Sequence, residues 1–437
     1  MRPCLHRALL PSLLAATALV APTPALAQAA PSVQLGGFLL TSALWTRDDA
    51  DKAAGPPRGV NQAGTAARRR TDFRNEVEVH LIVTAKAANG LAYGAVIELQ
   101  NDNFGGGAGS GMDVDEAFVF VSSPRFGTLR FGEEDAAAGL LQVRAPTIAG
   151  FGADAAWDNT ILRTATGAEG SPVLMNAIND HNDATKIVYL SPQFAGFDFG
   201  LSYAPVGAEG DRAFTGRMVD TLGVGGARIP ASVTQRDRTG LTNEISGALR
   251  YRGTFGGVGV AASIGGLTAD AAANTVNATT GAVSTAVSNG RTLRDITVLS
   301  MGLSLSAWGF TLGGEYTRGH YASIVGRQPL ANNADGTDRD ASHHLLFGLT
   351  YRLGAMSLGA YLGQAEQDNG RTAAGVAVAD RRQTAWGLGI AYALAPGLEA
   401  FGSVNLVSDR NVNSTGGGGT LANRDIEGVF LGTRLAF

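Results

Sequence analysis

The chain has 437 residues, of which 45% are hydrophobic, 16% are charged and 60 are glycine. The charged fraction is low against the roughly 25% of average soluble domains. Beyond the N-terminal segment, no stretch approaches the roughly 18 apolar residues of a membrane helix. A formal net charge of −4 makes the chain a poor candidate for binding nucleic acid. These values argue against a helical membrane protein and favour a glycine-rich β architecture.

The N-terminus has the features of a secretory signal peptide, which we predict to cover residues 1–27. Two arginines supply its positive end, residues 9–20 form its apolar segment, and small residues at 25–27 offer a cleavage site. The apolar segment is too short for a membrane anchor. Cleavage would remove the only cysteine and leave 28–437 as a single domain without disulfides or thiolate metal sites.

From residue 33 onward the chain repeats one pattern, in which apolar and polar residues alternate over a short segment that ends in a turn. Val77, Val79 and Leu81 occupy alternate positions of one such segment, and Glu76 and Glu78 fill the places between them. Because strand side chains point to opposite faces with a period of two, each segment has an apolar face and a polar face. The pattern predicts sixteen strands, at residues 33–46, 71–86, 90–100, 113–123, 127–133, 184–191, 196–205, 241–253, 256–267, 295–307, 309–318, 341–353, 355–365, 383–394, 398–409 and 425–437.

The predicted connections alternate between short turns and long loops, as in membrane β-barrels with an even number of strands. Lipid offers the backbone no hydrogen bonds, so the sheet must close on itself. Its polar faces would line a lumen that sixteen strands make too wide for side chains to fill. We therefore predict an all-β fold, a transmembrane antiparallel β-barrel of 16 strands. The predicted long loops cover residues 47–70, 101–112, 133–183, 206–240, 268–294, 319–340, 366–382 and 410–424.

Glycine recurs on the predicted polar faces of the strands, at Gly200, Gly247, Gly348, Gly387 and Gly389. Small residues at these places would keep a lumen open, or they would relax bends in a strongly coiled sheet, and the sequence leaves both interpretations open. The chain ends in an aromatic residue at the end of an alternating strand. That residue suits the aromatic girdle at the membrane surface of such barrels.

Two predicted hairpins resemble those of the general Gram-negative porins. The hairpin before the long third loop does so in the run DEAFVFVSSPRFGTLRFGEED, in the 113–135 region. The hairpin after that loop does so in the run KIVYLSPQFAGFDFGLSYAP, at 186–205. The resemblance covers the mature chain in order and spacing and is closest to α-proteobacterial members. It implies a homotrimer in the bacterial outer membrane, in contact with lipid and lipopolysaccharide, whose third loop folds into the lumen and narrows it.

By this resemblance the third loop spans 133–183, and its acidic side chains would face a basic wall across the pore. A field between them would order water and favour small polar solutes over apolar ones. The loop departs from the family pattern in carrying two basic residues of its own, Arg144 and Arg163. The candidate acidic residues are Glu133, Glu134, Asp135, Asp154, Asp158, Asp180 and Asp183. The strand phase gives the candidate basic wall as Arg74, Arg130, Lys186, Arg250 and Arg252.

No motif for catalysis or for a cofactor stands out, and we predict neither an enzyme nor a bound cofactor. The chain has no G-x-S-x-G elbow, no H-E-x-x-H pair and no glycine-rich loop ending in Gly-Lys. The adjacent His343 and His344 would point to opposite faces of a strand, which favours a solvated rim over a metal site. Asp48, Asp49 and Asp51 could hold Ca²⁺, which takes several oxygen ligands, although no fixed ligand spacing supports that alternative.

The leading hypothesis is passive diffusion of small hydrophilic solutes and ions through a water-filled pore, as the resemblance implies. A substrate-selective channel would need a ladder of aromatic or arginine side chains, and only Phe401 and Tyr361 are aromatic on the predicted inner faces. An outer-membrane barrel enzyme would need a nucleophile and a base at the rim. A soluble β-rich structural or adhesion protein would turn its apolar faces inward. The arginines at 68–70 could contact lipopolysaccharide phosphates or form a solvated loop edge.

Overall fold

The computed structural model shows one closed antiparallel barrel of sixteen strands, in which each strand pairs with its neighbours along the chain and the last strand pairs with the first. The predicted barrel and its strand number are therefore confirmed. Among the described residues, no helix is long and apolar enough to cross a membrane. The structure describes residues 30–49, 70–101, 113–148, 178, 183–207, 221–222, 228–229, 241–271, 274–276, 283–285, 287–288, 291–321, 331–413 and 421–437.

The barrel strands follow the predicted segments closely and extend beyond several of them. The last two strands, predicted to end at 409 and to begin at 425, continue until Asn413 pairs with Leu421. The strands are β1 (Ser32–Asp48), β2 (Thr71–Lys86), β3 (Ala92–Asn101), β4 (Asp113–Ser123), β5 (Gly127–Glu133), β6 (Thr185–Leu190), β7 (Phe197–Val206), β8 (Thr242–Phe255), β9 (Val258–Asp270), β10 (Ile296–Ala307), β11 (Phe310–His320), β12 (Ser342–Leu353), β13 (Met356–Gln367), β14 (Arg381–Ala395), β15 (Leu398–Asn413) and β16 (Leu421–Ala436). The described residues also form elements that are not part of the barrel sheet. They are a short helix, α1 (Ala137–Leu140), and three small hairpins, which pair Thr221–Leu222 with Arg228–Ile229, Asn274–Val276 with Val283–Thr285, and Val287–Ser288 with Arg291–Thr292.

The outer surface of the barrel is apolar, as the alternation predicts, whereas its inner side carries polar and charged side chains together with a buried apolar cluster that includes Leu267, Leu346 and Phe430. In β7 the side chains of Phe199 and Leu201 are exposed on the outside, whereas Asp198 and Ser202 are buried on the inside. Transfer of one such side chain from water to an apolar environment is favourable by about 1.5–3 kcal/mol. Because each strand of the closed sheet is hydrogen-bonded to a neighbour on both sides, this outer face is suited to contact with lipid.

Aromatic rings gather on the outside at the end of the barrel that carries the short turns. Tyr251 lies between Phe197 and Phe255, with ring centroids 4.9 and 6.0 Å away, and Phe310 stacks on Tyr351 at 4.2 Å. Aromatic residues prefer the membrane–water interface, where the ring meets lipid and the polar edge meets water. These rings therefore mark one border of the membrane-spanning zone. The C-terminal phenylalanine is exposed at the same end.

The third long loop enters the barrel and follows its inner wall. After β5 it forms α1, and the chain then continues along the wall through residue 148. The backbone N–H groups of Ala137, Ala138 and Val143 donate hydrogen bonds to serine hydroxyls of β7, β8 and β9, at 3.0, 2.9 and 2.8 Å. These serines spare the loop the cost of burying unsatisfied N–H groups. The prediction that this loop folds into the lumen is confirmed.

Three inward glycines, Gly302, Gly348 and Gly389, let the loop backbone touch the wall, and we call them the glycine track. A methyl group at these positions would stand 1.8, 1.9 and 2.1 Å from the nearest carbonyl oxygen of the loop. Any side chain there would push the loop off the strands, so the glycine track seats the loop against β10, β12 and β14. This role differs from both interpretations that the sequence left open for Gly348 and Gly389.

Two other glycines predicted on the polar faces have different surroundings. Gly200 faces inward and lies under the loop, because a methyl group there would stand 3.0 Å from Cδ1 of Leu141. Gly247 faces outward, because its neighbour Ser246 points inward and holds α1. A methyl group at Gly247 would stand 2.8 Å from Cδ2 of Leu201, at the movable end of a side chain. The expectation that Gly247 lines the lumen is wrong, since it shares the outward phase of its strand.

Replacing Gly348 with valine should loosen the third loop. The new side chain would displace a loop carbonyl, and overpacking of this kind costs about 1–3 kcal/mol. In a chain that lacks Cys4, a cysteine is introduced at Ala145, which is 2% exposed. This cysteine should react with a small methanethiosulfonate reagent about 5- to 150-fold faster in the Gly348→Val variant than in the chain with Gly348, because a loosened loop exposes it more often.

The matched control is Gly247→Val, whose first side-chain atom would meet the movable end of Leu201 and, at 3.2 Å, the backbone oxygen of Gly200, but no atom of the third loop. Heat-modifiable migration in detergent gels reports whether both barrels remain closed. Equal labelling rates in the Gly348→Val and Gly247→Val variants would contradict the role of the glycine track.

Candidate functional site

Three of the predicted charged residues meet at the start of the third loop, directly after β5. Glu134 is 1% exposed, and its Oε2 accepts a hydrogen bond from Nη1 of Arg130 at 2.7 Å. Nζ of Lys186, on the next strand, donates to the backbone oxygen of Glu134. Burial raises the pKa of the Glu134 carboxyl, and the guanidinium of Arg130 opposes that shift. These charges compensate each other at the root of the loop.

A group of carboxylates surrounds this root on the inner side of the wall. Glu116, on β4, experiences the negative charge of Glu134, Asp135, Glu98 and Asp183. The loop and the strands therefore bring carboxylates together on this part of the wall, beside the basic groups of Arg130 and Lys186. The three loop residues of the group were predicted, whereas the two strand residues were not. The inward phase of β3 and β4 was the signal that could have revealed them.

The remaining acidic candidates are not gathered at one place in the described structure. Glu133 is the last residue of β5 and is half-buried. Asp154, Asp158 and Asp180 lie outside the described residues, so their position at the pore stays a prediction. Arg144, one of the loop's two basic residues, is half-buried within the segment that follows the wall.

Two of the predicted basic residues lie in the half of the barrel nearer the short turns. Arg250 and Arg252, on β8, both donate to Oδ2 of Asp198 on the neighbouring β7, at 2.7 and 2.9 Å. Arg250 makes a second bond, from Nε to Oδ1 at 3.1 Å, so it holds both carboxylate oxygens. The side chain of Arg252 remains 50% exposed and presents a positive group to the lumen. The sequence did not indicate Asp198, because alternation gives the face of a residue but not its partner on the next strand.

The fifth basic candidate lies near the long-loop end of β2. Arg74 is 8% exposed, and its Nη2 donates to Oε2 of Glu76 at 2.8 Å. The two residues are two positions apart on the strand and share its inner face. Because the two charges compensate each other, the pair presents little net charge to a passing solute. Arg74 and Lys186 therefore occupy the long-loop end of the wall, whereas the arginines of β8 lie toward the other end.

Buried ion pairs also tie strands together at the long-loop end. Nη2 and Nε of Arg424 contact the two carboxylate oxygens of Asp48 at 2.6 and 3.0 Å, and Arg381 holds Asp409 in the same way at 2.7 and 2.9 Å. Two parallel bonds from a guanidinium fix the geometry of a carboxylate as well as its charge. Asp48 is thus engaged by an arginine, which weakens the Ca²⁺ alternative for this loop edge. Asp51, the third member of that suggestion, lies outside the described residues.

The adjacent histidines of β12 point to opposite faces of the strand, as its period predicts. His343 lies on the outer side, with its ring 6.3 Å from that of Tyr316. His344 is fully buried on the inner side, with its Nδ1 3.0 Å from the hydroxyl oxygen of Tyr321. The expectation of a solvated rim is therefore wrong for His344, because Tyr321 packs over it just after β11.

Comparison with known proteins places this barrel among bacterial porins. A family model described as Gram-negative porin matches residues 15–412. An anion-selective porin from Comamonas acidovorans is 18% identical with a TM-score of 0.54, and the alignment covers 93% of this chain and 100% of that one. A loop-deletion mutant of OmpT, an outer membrane protein of Vibrio cholerae, is 13% identical with a TM-score of 0.53, covering 94% and 100%. No curated protein sequence matches the chain significantly.

These likenesses support conclusions of different kinds. At identities below 20%, the two solved structures show that the fold is shared and nothing more. The family model is stronger evidence, because it matches most of the chain. It agrees with the apolar outer face, the charged inner wall and the loop that lies inside the barrel. The chain therefore belongs to the Gram-negative porin family, and it forms a diffusion channel in the bacterial outer membrane.

Proposed function

We propose that the chain is a general diffusion porin, through which small hydrophilic solutes and ions pass without saturation and without chemical change. The position of the third loop carries this proposal. Its described part contacts the wall from β7 to β14, through the serine hydroxyls and the glycine track. A loop held against the wall narrows a lumen without filling it. Anchoring at many points also keeps the width of the passage constant, which suits diffusion.

The charges of the inner wall support a preference for polar solutes. Carboxylates of the loop and of two strands gather around Glu116 in one region, while Arg252 presents a positive group on another strand, nearer the short turns. Fixed charges of both signs order the water between them, and an apolar solute must displace that water to pass. We propose that Glu134, Asp135 and Asp183 contribute to the acidic region that solutes meet.

A substrate-selective channel is the second candidate function, and the position of Tyr361 in the wall argues against a sugar-binding ladder. A ladder for sugars would need aromatic faces open to the lumen. Tyr361 is only 6% exposed, and its hydroxyl donates to Oδ1 of Asn405 at 2.7 Å, so it serves the wall itself. The likeness to the anion-selective porin from Comamonas acidovorans lies at the level of fold and transfers no ion preference.

We also propose that the barrel performs no catalysis. An enzyme of this type would hold a nucleophile within hydrogen-bonding distance of a base. The hydroxyls of Ser202, Ser246 and Ser263 instead accept hydrogen bonds from α1 and the segment that follows it. Their position inside the wall supports a role in holding the loop.

We infer a homotrimer from the resemblance of the two hairpins to those of general porins. The apolar outer faces would then be divided between lipid and the neighbouring barrels. Lipopolysaccharide would surround the end that carries the long loops. The arginines at 68–70, which could contact its phosphates, lie outside the described residues.

Recording currents in planar bilayers tests the proposed function directly. We expect a current that is linear with voltage and proportional to salt concentration, because the ions cross a water-filled passage without binding. Steps of three equal parts should appear, because three chains insert together. A current that saturates with salt, or that one solute blocks at low concentration, would favour the selective channel. Insertion as single independent steps would contradict the trimer.

Replacing Arg252 with glutamine should shift the ion preference of the pore toward cations. A unit charge about 10 Å from the ion path contributes about 0.4 kcal/mol in water, with opposite signs for a cation and an anion, so the ratio of their permeabilities should change by roughly fourfold at low salt. Asp198 keeps Arg250 as its partner in this variant, so the wall should keep its shape. The reversal potential in a potassium chloride gradient measures the shift.

The matched control for this measurement is Arg47→Gln. Arg47 is exposed to a similar degree and also contacts a carboxylate, that of Glu427 at 3.4 Å, but it lies on the outer surface. The reversal potential of the control should equal that of the wild type. Equal shifts in the two variants, or no shift for Arg252→Gln, would contradict a lumen-facing role for Arg252.

A further inference from the structure

A histidine and two glutamates form a compact cluster on the inner wall between β2 and β3. Glu78 and His80 are two positions apart on β2, so they share its inner face. Glu98, on β3, lies directly opposite His80 in the strand register. Side chains placed in this way converge, and the ligand atoms of all three lie within 4.8 Å of one another.

The distances in the cluster match those between the ligands of a tetrahedral metal ion. Nε2 of His80 lies 3.0 Å from Oε2 of Glu78 and 3.2 Å from Oε2 of Glu98. With metal–ligand bonds of about 2.0–2.1 Å, two ligand atoms of a tetrahedral site are about 3.3 Å apart. An ion could therefore enter between the nitrogen and the two oxygens after shifts of roughly a few tenths of an ångström.

The donor atoms select the class of ion. Zn²⁺ and its neighbours in the first transition row bind an imidazole nitrogen together with carboxylate oxygens. Ca²⁺ and Mg²⁺ prefer sites made of oxygen alone. Two carboxylates also balance the charge of a divalent ion, and three protein ligands leave a fourth position for water.

The cluster is accessible from the lumen. The side chain of His80 is 30% exposed, and those of Glu78 and Glu98 are each 14% exposed. They lie on the inner face, because the next residue along β2, Leu81, is exposed on the outside. An ion dissolved in the pore would reach them without any opening of the barrel.

We propose that Glu78, His80 and Glu98 bind a divalent transition-metal ion of the Zn²⁺ class inside the lumen. His80 supplies the nitrogen ligand and the two glutamates supply one oxygen each. The sequence alone does not indicate this site, because only the pairing of β2 with β3 brings Glu98 to the histidine. A proton shared between the imidazole and the carboxylates would give the same distances, and a binding measurement separates the two explanations.

Calorimetric titration of the purified, tag-free protein with zinc chloride tests the site. We expect saturable binding of one ion per chain at the cluster. His80→Gln and Glu98→Gln each remove one ligand, and each should weaken binding by about tenfold or more. The matched control is His320→Gln, since His320 lies at the end of β11 with its Nδ1 2.9 Å from Oγ1 of Thr297. This control should bind Zn²⁺ as the wild type does.

Titration with calcium chloride distinguishes a specific site from general attraction to an acidic wall. Ca²⁺ should bind about tenfold or more weakly than Zn²⁺, because one of the ligands is a nitrogen. Equal affinity for the two ions, no saturable binding, or unchanged Zn²⁺ affinity in His80→Gln would overturn the proposal. Calorimetry measures binding without any current, so a failure to bind Zn²⁺ would leave the proposed diffusion function intact. Likewise, currents that contradict the diffusion function would leave the metal site intact.

Discussion

Closure of the sheet is the constraint on which the rest of the structure depends. A strand that faces lipid must have a partner for every backbone N–H and C=O group, so the first strand must meet the last. Residues 38–48 of β1 meet this requirement by pairing with residues 426–436 of β16. Once the sheet is closed, the period of the strand sends apolar side chains outward and the alternate side chains inward. The interior must therefore accommodate polar and charged groups, and that requirement creates the functional wall.

Two kinds of small residue make the inner wall compatible with a loop. Ser202, Ser246 and Ser263 accept hydrogen bonds from N–H groups that the loop would otherwise bury without a partner. The glycine track lets the loop carbonyls approach the strands more closely than any side chain would allow. The described part of the loop thus becomes a second layer of the wall. Around it, several of the described arginines and carboxylates hold one another in pairs, and Arg252, which contacts Asp198, also extends into the lumen.

The sequence could predict the strands because their signal is local and regular. In β8, the outward Ile245 and Leu249 alternate with inward residues, and such periods placed all sixteen strands. It could not predict the partners of the wall charges, because the register between neighbouring strands decides that Asp198 meets Arg250. The role of Gly348 depends on a segment of the third loop that is distant along the chain. Contacts of this kind leave no periodic trace in the sequence.

Accessibility of nitroxide labels tests most directly the claim that apolar faces meet lipid while polar faces enclose water. Single cysteines would carry the label at Leu249 and Leu349 on the outer face and at Arg252 and Arg434 on the inner face, in a chain without Cys4 reconstituted in liposomes. We expect the outer labels to collide mainly with oxygen dissolved in lipid and the inner labels mainly with a water-soluble nickel complex. A reversed pattern, or the same accessibility at all four positions, would contradict it.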